Sequence, residues 1–226
     1  MKNHFIALSE EILISSQAGE DTTSLRRQLF YIRQSKLEKS LYVDDLKKVF
    51  WINIYHAFYI IISNETKESN RILNIKRIKI SHTILSLDDI EHGILRKYKF
   101  KMGYGYFTNP FYSSFITRTA VEKVDYRIHF ALRSIKVMSI SIPTYDSKHI
   151  DQQLSLVAKN FIELKTEFDH DAKTIQVSNF ILHNLKDFGG KKSVKKIMET
   201  IFKKDFSTYR LRFKTAKPID KIKFAS

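Results

Sequence analysis

"VFWINIYHAFYIIIS", residues 49 to 63, decides how the rest of the chain is read. Apart from Asn53, His56 and the closing Ser63, every residue in it is apolar or aromatic. The apolar positions cover all sides of a helix, the pattern of a helix packed all round instead of lying on a surface. At roughly 14 residues the run falls short of the roughly 20 that cross a bilayer, so it reads as a core helix from about 45 to 63, with Asp44 as its cap and no transmembrane segment. Asn53 and His56 are three apart and leave the helix on one side, and the small Ala57 leaves room beside them. A buried polar group without a partner costs about 1–3 kcal/mol, so both side chains require hydrogen bonds. Two roles satisfy that requirement: bonding loop backbone to pin the helix, or facing a ligand.

Upstream, residues 4 to 17 and 22 to 36 carry apolar residues at three- and four-residue spacing, giving an N-terminal helical segment within residues 1–40. Ser9, Glu10 and Glu11 interrupt the apolar start before a secretory core of useful length. The 226 residues are 43% hydrophobic and contain only 6 Gly and 3 Pro, with no linker-like stretch and no fixed-period repeat, so a single domain over 1–226 is expected. Cysteine is absent. That removes disulfides, thiolate metal sites and a thiol nucleophile, and it suits a reducing, cytoplasmic location.

Downstream the pattern changes. "RIKI" (77–80), "KTIQVS" (173–178) and "TYRLRFKT" (208–215) read as strands, and "YRIHFALRSIKVMSISI" is rich enough in β-branched and aromatic residues to hold another, with "RIHFALR" its surest piece. Ser86 followed by Asp89 is a capping-box-like pattern that opens a helix at about 87 to 97. Further helices are expected over 146–164, 179–185 and 192–204, and "MGYGYFTNPFYSS" is expected to be an ordered loop excursion. Helices first, then strands mixed with helices, indicate an α+β fold: N-terminal helices and a buried central helix on a small, mostly antiparallel sheet.

Three stretches in this order, "FWINIYHA", "LSLDDIEHGILR" and "YRIHFAL", resemble domain-of-unknown-function family 547. That family carries a Trp-Ile-Asn-hydrophobic-Tyr-Asn-Ala helix, an Ile-Glu-His-x-x-Leu-Arg helix and an Arg-x-His-Phe-Ala-Leu strand leading into a cysteine-bearing segment. This chain departs from the pattern. His56 replaces an Asn, and Ser134 and Ser139 stand at the best alignment of the two cysteines. The layout is also similar to the papain-like and transglutaminase-like arrangement. By position that resemblance implies Asn53 near the nucleophile's place, His129 as base and Asp187 as orienter, a fold-level analogy.

On the 85–96 stretch Asp88, His92 and Arg96 follow at intervals of four, an acid, imidazole and guanidinium stripe. It suits either a solvated salt-bridged face or a site that fixes one His92 tautomer and presents Arg96 to a carboxylate or phosphate. Glu91, His92 and Arg96 occupy motif positions of the resembled family. If His129, His92 and Asn53 converge, they form a general acid-base pocket with His56, Glu91, Arg96 and Ser139 as ligand contacts. No His or Glu spacing supports a metal, and no cofactor is expected. A serine in a site built for a thiolate loses most of the rate, which makes a degenerate cysteine-hydrolase-like scaffold acting by binding the first expectation, and a His-based hydrolase or acyltransferase the alternative.

The formal charge of +15 is concentrated after residue 190, where the excess is roughly nine charges. Lys191, Lys195 and Lys196 on a helix, and Arg210, Arg212 and Lys214 on a strand, are candidate contacts for an anionic macromolecule, nucleic acid or acidic protein; a small-molecule ligand is the other partner class. A merely lysine-rich surface would show the same composition.

Overall fold

The structure is a computed structural model that describes residues 3–66, 72–135 and 142–214. Asn3 opens helix α1 (His4–Ala18), its side-chain oxygen accepting from the Phe5 N–H at 3.0 Å while its Nδ2 donates to the Ser40 carbonyl at 2.8 Å. Gly19, at φ 73°, ends α1 by letting its N–H and that of Glu20 fold back onto the last carbonyls. Instead of one helix over 22–36 there are two, α2 (Thr23–Tyr31) and α3 (Gln34–Ser40), because Ile32 and Arg33 are extended.

Helix α4 (Asp44–Glu65) is the expected central helix, buried without a break from Lys47 to Phe58, with α1 along it. Its cap is Val43, not Asp44. The Asp44 carboxylate instead accepts the backbone N–H groups of Glu122 and Lys123 at 2.8 and 2.9 Å, tying a distant loop to the helix start.

Strands β1 (Ile78–Ile80) and β2 (Thr83–Leu85) form an antiparallel hairpin against α2. Next come a π-helix (Asp89–Leu95), then α5 (Ser114–Thr119), α6 (Ile128–Ser134) and α7 (Ile150–Lys165). Ser86 and Asp89 make the reciprocal bonds that their spacing suggested. Ser86 N–H donates to Asp89 Oδ2 at 2.8 Å, and Asp89 N–H donates to Ser86 Oγ at 3.1 Å.

The stretch "RIHFALR" corrects an expectation: it is α6, not a strand, so His129 lies on a helix. Local composition favoured a strand, but Asp125 accepts the Arg127 N–H at 3.0 Å, and the Asp125 backbone carbonyl accepts from Ile128, which starts a helical turn. Ile128, Ala131 and Leu132 then bury one face at helical spacing, and α6 packs on α4.

The described residues up to Lys101, with Phe107–Ala158, form one compact unit; Met102–Tyr106 and the described residues from Lys159 form a second. In the second, β3 (Glu167–Asp169), β4 (Thr174–Val177) and β5 (Arg210–Phe213) form a sheet in that order, accompanied by α8 (Asn179–His183) and α9 (Lys191–Phe202). β3 runs antiparallel to β4, and β5 parallel to it. Register places Phe168, Ile175 and Leu211 on one face, where Phe168 stacks on Phe206 with centroids 5.2 Å apart. Residues 102–106 dock in this unit: Tyr104 stacks on His183, and its carbonyl accepts the Lys186 N–H at 3.0 Å. The fold is α+β, and the described residues form two small sheets. Among the described residues no helix is long and apolar enough to cross a membrane.

Candidate functional site

Helix α4 faces two polar networks, and both reach α6. On the first side Asn53 takes hold of the Tyr145 backbone twice: Nδ2 donates to the Tyr145 carbonyl at 2.9 Å and Oδ1 accepts the Tyr145 N–H at 2.9 Å. One turn on, His56 Nε2 lies 3.0 Å from the Ala131 carbonyl of α6. A carbonyl only accepts, so Nε2 carries the proton, and among the described residues Nδ1 is a buried acceptor without a partner. Burial pushes the His56 imidazole down to about 4, the hydrogen bond to Ala131 working against it, so the ring is neutral at pH 7. The Tyr145 ring lies 5.9 Å from His56, and burial raises its phenol well above the ordinary value, the Ser134 hydroxyl offsetting part of the rise. These residues pin the core.

The second network centres on Glu91. Burial alone would raise its carboxyl, but the basic side chains of His92, His129, Arg133 and Arg96 more than reverse this, and the group stays below the usual glutamate value. The π-helix carries Glu91 and His92 and Arg96 caps its end, while α6 carries His129 and Arg133 four residues apart. Tyr55 of α4 completes the ring, its phenol raised well above the ordinary value by burial first and by Glu91 next.

Arg96, 1% exposed, donates from Nη1 to His92 Nδ1 at 2.7 Å, and His92 Nε2 lies 3.5 Å from Asp88 Oδ1. A guanidinium cannot accept, so His92 is held in the Nε2–H tautomer. Burial lowers the His92 imidazole, against the pull of Glu91 and Asp88 and helped by Arg96 and Lys101. In the stripe at intervals of four His92 and Arg96 are therefore buried, while Asp88 is part-exposed and also pairs with the exposed Lys101 at 3.1 Å. A π-helix is a rare element that concentrates at functional sites, and here it closes with the Arg96 N–H donating to the Glu91 carbonyl at 3.0 Å.

All three motif stretches thus meet around α4, and residues 39–162 match the family described as a protein of unknown function, DUF547. The chain belongs to the DUF547 family. Asn53, His56, Glu91, His92, Arg96 and His129 all lie inside the matched span of that family, as do Tyr55, Arg133 and Tyr145. No curated protein and no solved structure matches the chain.

Of the residues singled out in the sequence, His92, His129, Glu91 and Arg96 are brought together, whereas Asn53 and His56 are engaged with backbone. Ser139 lies outside the described residues. Asp187 belongs to the second unit, where its N–H donates to the Asn184 carbonyl at 2.9 Å. Reasoning from sequence missed Arg133, whose place one turn from His129, both acting on Glu91, is visible only once the segment is a helix. Among the described residues no three His, Asp or Glu side chains form a metal-binding group.

The C-terminal basic residues are all in the second unit. Arg210 and Arg212 are exposed on β5, but register places Thr174 and Gln176, then Asp169 and Glu167, on the same sheet face. Lys214 pairs with Glu167 at 2.7 Å, and Lys195 Nζ donates to the Ser207 carbonyl at 2.6 Å. Lys191 and Lys196 are exposed on α9.

Proposed function

We propose that this DUF547 protein acts by binding, with the Glu91 cluster as the seat of a small polar ligand and the basic residues of the second unit as contacts for an anionic partner. The observation that carries the reading is the ionised Glu91 held among His92, His129, Arg133 and Arg96. Such a cluster offers a carboxylate acceptor and guanidinium and imidazole donors to a ligand's amide, carboxylate or hydroxyl groups. A chain without cysteine offers no thiolate there. On this reading the scaffold is a cysteine-hydrolase-like one that has lost its thiols, and the same lack of cysteine suits the cytoplasm.

The second reading is a hydrolase or acyltransferase with His129 or His92 as base, favoured by the charge of Glu91 acting on both imidazoles. Turnover of an activated ester and an activated thioester separates the two. The binding reading expects no rate above buffer for the wild type. A measurable rate that His129→Gln or Glu91→Gln abolishes, with the fold intact by circular dichroism, establishes the enzyme instead. The anionic partner is tested on a heparin column, where a K191E/K195E/K196E/R212E variant is expected to elute at clearly lower salt than the wild type.

A further inference from the structure

A groove of about 570 Å³ lies against α2, the end of α4 and the β1–β2 hairpin, all in the first unit. Among the described residues Arg26, Arg27, Lys76, Arg77 and Lys79 line it, with Glu65 as the lone acid. Glu65 is engaged twice, Oε1 with Arg26 Nη1 at 3.2 Å and Oε2 with Arg77 Nη1 at 2.8 Å. It therefore fixes two guanidiniums side by side and cancels one charge. Among the described residues no carboxylate pairs with Arg27, Lys76 or Lys79, and all three are exposed. The groove is a concentrated positive field in a part of the chain that composition did not mark as basic.

Charge alone attracts any polyanion. The aromatic rings narrow the choice. Tyr31 is 59% exposed at the groove and sits in an edge-on cluster with Phe30, at 5.1 Å between centroids, and His82, at 5.8 Å. The Arg27 guanidinium lies 6.0 Å from the Tyr31 ring. His82 is held there by a turn that has no glycine although both of its residues, Ser81 and His82, have positive φ, 48° and 58°. Such a conformation costs roughly 1–2 kcal/mol per residue outside glycine. It is held by the Ser81 and His82 N–H groups, each donating at 3.1 Å to the carbonyls of Leu29 and Phe30, and by Ser81 Oγ donating to the Ile32 carbonyl at 2.7 Å. The strained turn and the end of α2 thus form one rigid aromatic platform at the rim of a basic groove.

A second hollow, of about 640 Å³, shares Thr23, Arg27 and Tyr31 with the first. Tyr31 and Arg27 therefore stand between two adjoining spaces, an arrangement for a chain running past a stacking ring.

We propose that this groove binds single-stranded nucleic acid, with phosphates along Arg27, Lys76, Arg77 and Lys79 and a base stacked on Tyr31. An acidic peptide would use the cations and leave the ring idle. A duplex offers no free base face to Tyr31.

The test is fluorescence anisotropy with fluorescein-labelled oligothymidylate and oligouridylate of about 12 nucleotides, within the site sizes such grooves cover. For three or four phosphates, log affinity is expected to fall with log salt at a slope of about −2 to −3. Tyr31→Ala is expected to weaken binding by about tenfold, the loss of one stacked base. R27E/K79E is expected to weaken it by tenfold or more and to flatten the slope by about 1. Both sites are exposed, and an unchanged thermal melt verifies the fold. R210E/R212E, in the second unit, is expected to bind as the wild type, which separates this groove from the C-terminal contacts proposed above. The proposal is overturned if Tyr31→Ala binds as the wild type, if duplex DNA or polyglutamate competes as well as the single strand, or if R27E/K79E keeps full affinity.

Discussion

Asn53 grips both backbone groups of Tyr145, 92 residues along the chain, with the two ends of one side-chain amide. The match is complete: one donor meets one carbonyl, one acceptor meets one N–H, and Asn53 is fully buried. The bond pair fastens the segment entering α7 to the middle of the central helix.

Asn53→Ala leaves that N–H and carbonyl unpaired in the core, each at about 1–3 kcal/mol. The expected loss is about 2–4 kcal/mol in urea unfolding, with an unchanged slope against denaturant. Asn53→Asp keeps the acceptor and loses the donor, and is expected to place a buried charge beside a carbonyl and fare no better.

The same pair shows how far local sequence reaches. The central helix was legible because its apolar residues cover every side, and the capping pair Ser86 and Asp89 because both partners lie within one turn. The need of Asn53 for a partner was also legible, but Tyr145 was not, since no spacing rule spans 92 residues. His129 was placed on a strand because Ile128, Phe130 and their neighbours suit either element. Packing on α4 and the Asp125 turn decide for a helix, and only then does Arg133 join His129. The basic groove escaped notice for the same reason: Arg27 on α2 and the Lys76, Arg77 and Lys79 run are far apart in sequence and meet where the hairpin packs on α2.

His56 makes stability depend on acid. Its folded value of about 4 lies below the ordinary 6.5, so the unfolded chain takes up a proton that the folded chain refuses. The contribution of the neutral ring is fully present above pH 6.5 and is lost as pH falls from there toward 4. Between pH 6.5 and 4.5 the loss is about 2 kcal/mol. His56→Asn, which installs the residue usual in the resembled motif, removes this term. The stability difference between wild type and His56→Asn, from urea curves at pH 7 and pH 4.5, is expected to shift by about that amount in favour of the variant at the lower pH.

Glu91→Gln removes the acid at the centre of the second network and leaves Arg96 and Arg133 without it. The His92 imidazole, which Glu91 holds up against burial, is expected to titrate at lower pH than in the wild type, as read from its ring proton by NMR. Glu91 itself has a folded value below the ordinary one, so its contribution is present above about pH 4.5 and is lost as pH falls through the folded value. The wild type is therefore expected to lose stability on acidification through this range while Glu91→Gln lacks that term. An unshifted His92 titration would separate the two side chains electrostatically and undo the cluster.

Gly93, between His92 and Ile94 on the π-helix, tests whether that element is fitted to its neighbour. A Cβ placed there would stand 2.8 Å from Ile116 Cγ2 of α5 and 3.1 Å from the Tyr112 ring. Helix propensity favours alanine over glycine by about 1 kcal/mol, while forcing a methyl into a packed contact costs about 1–3 kcal/mol. Ile116 is 4% exposed and its Cγ2 is a branch methyl at the β-carbon, so it yields little, and the overpacking term is expected to win. Gly93→Ala should lower stability by about 1–2 kcal/mol and displace the His92 ring from Arg96. Ile116→Ala empties the contested space, so Gly93→Ala is expected to cost less in that background than in the wild type. A double-mutant cycle with no coupling between the two positions would show that α5 does not set the geometry of the π-helix.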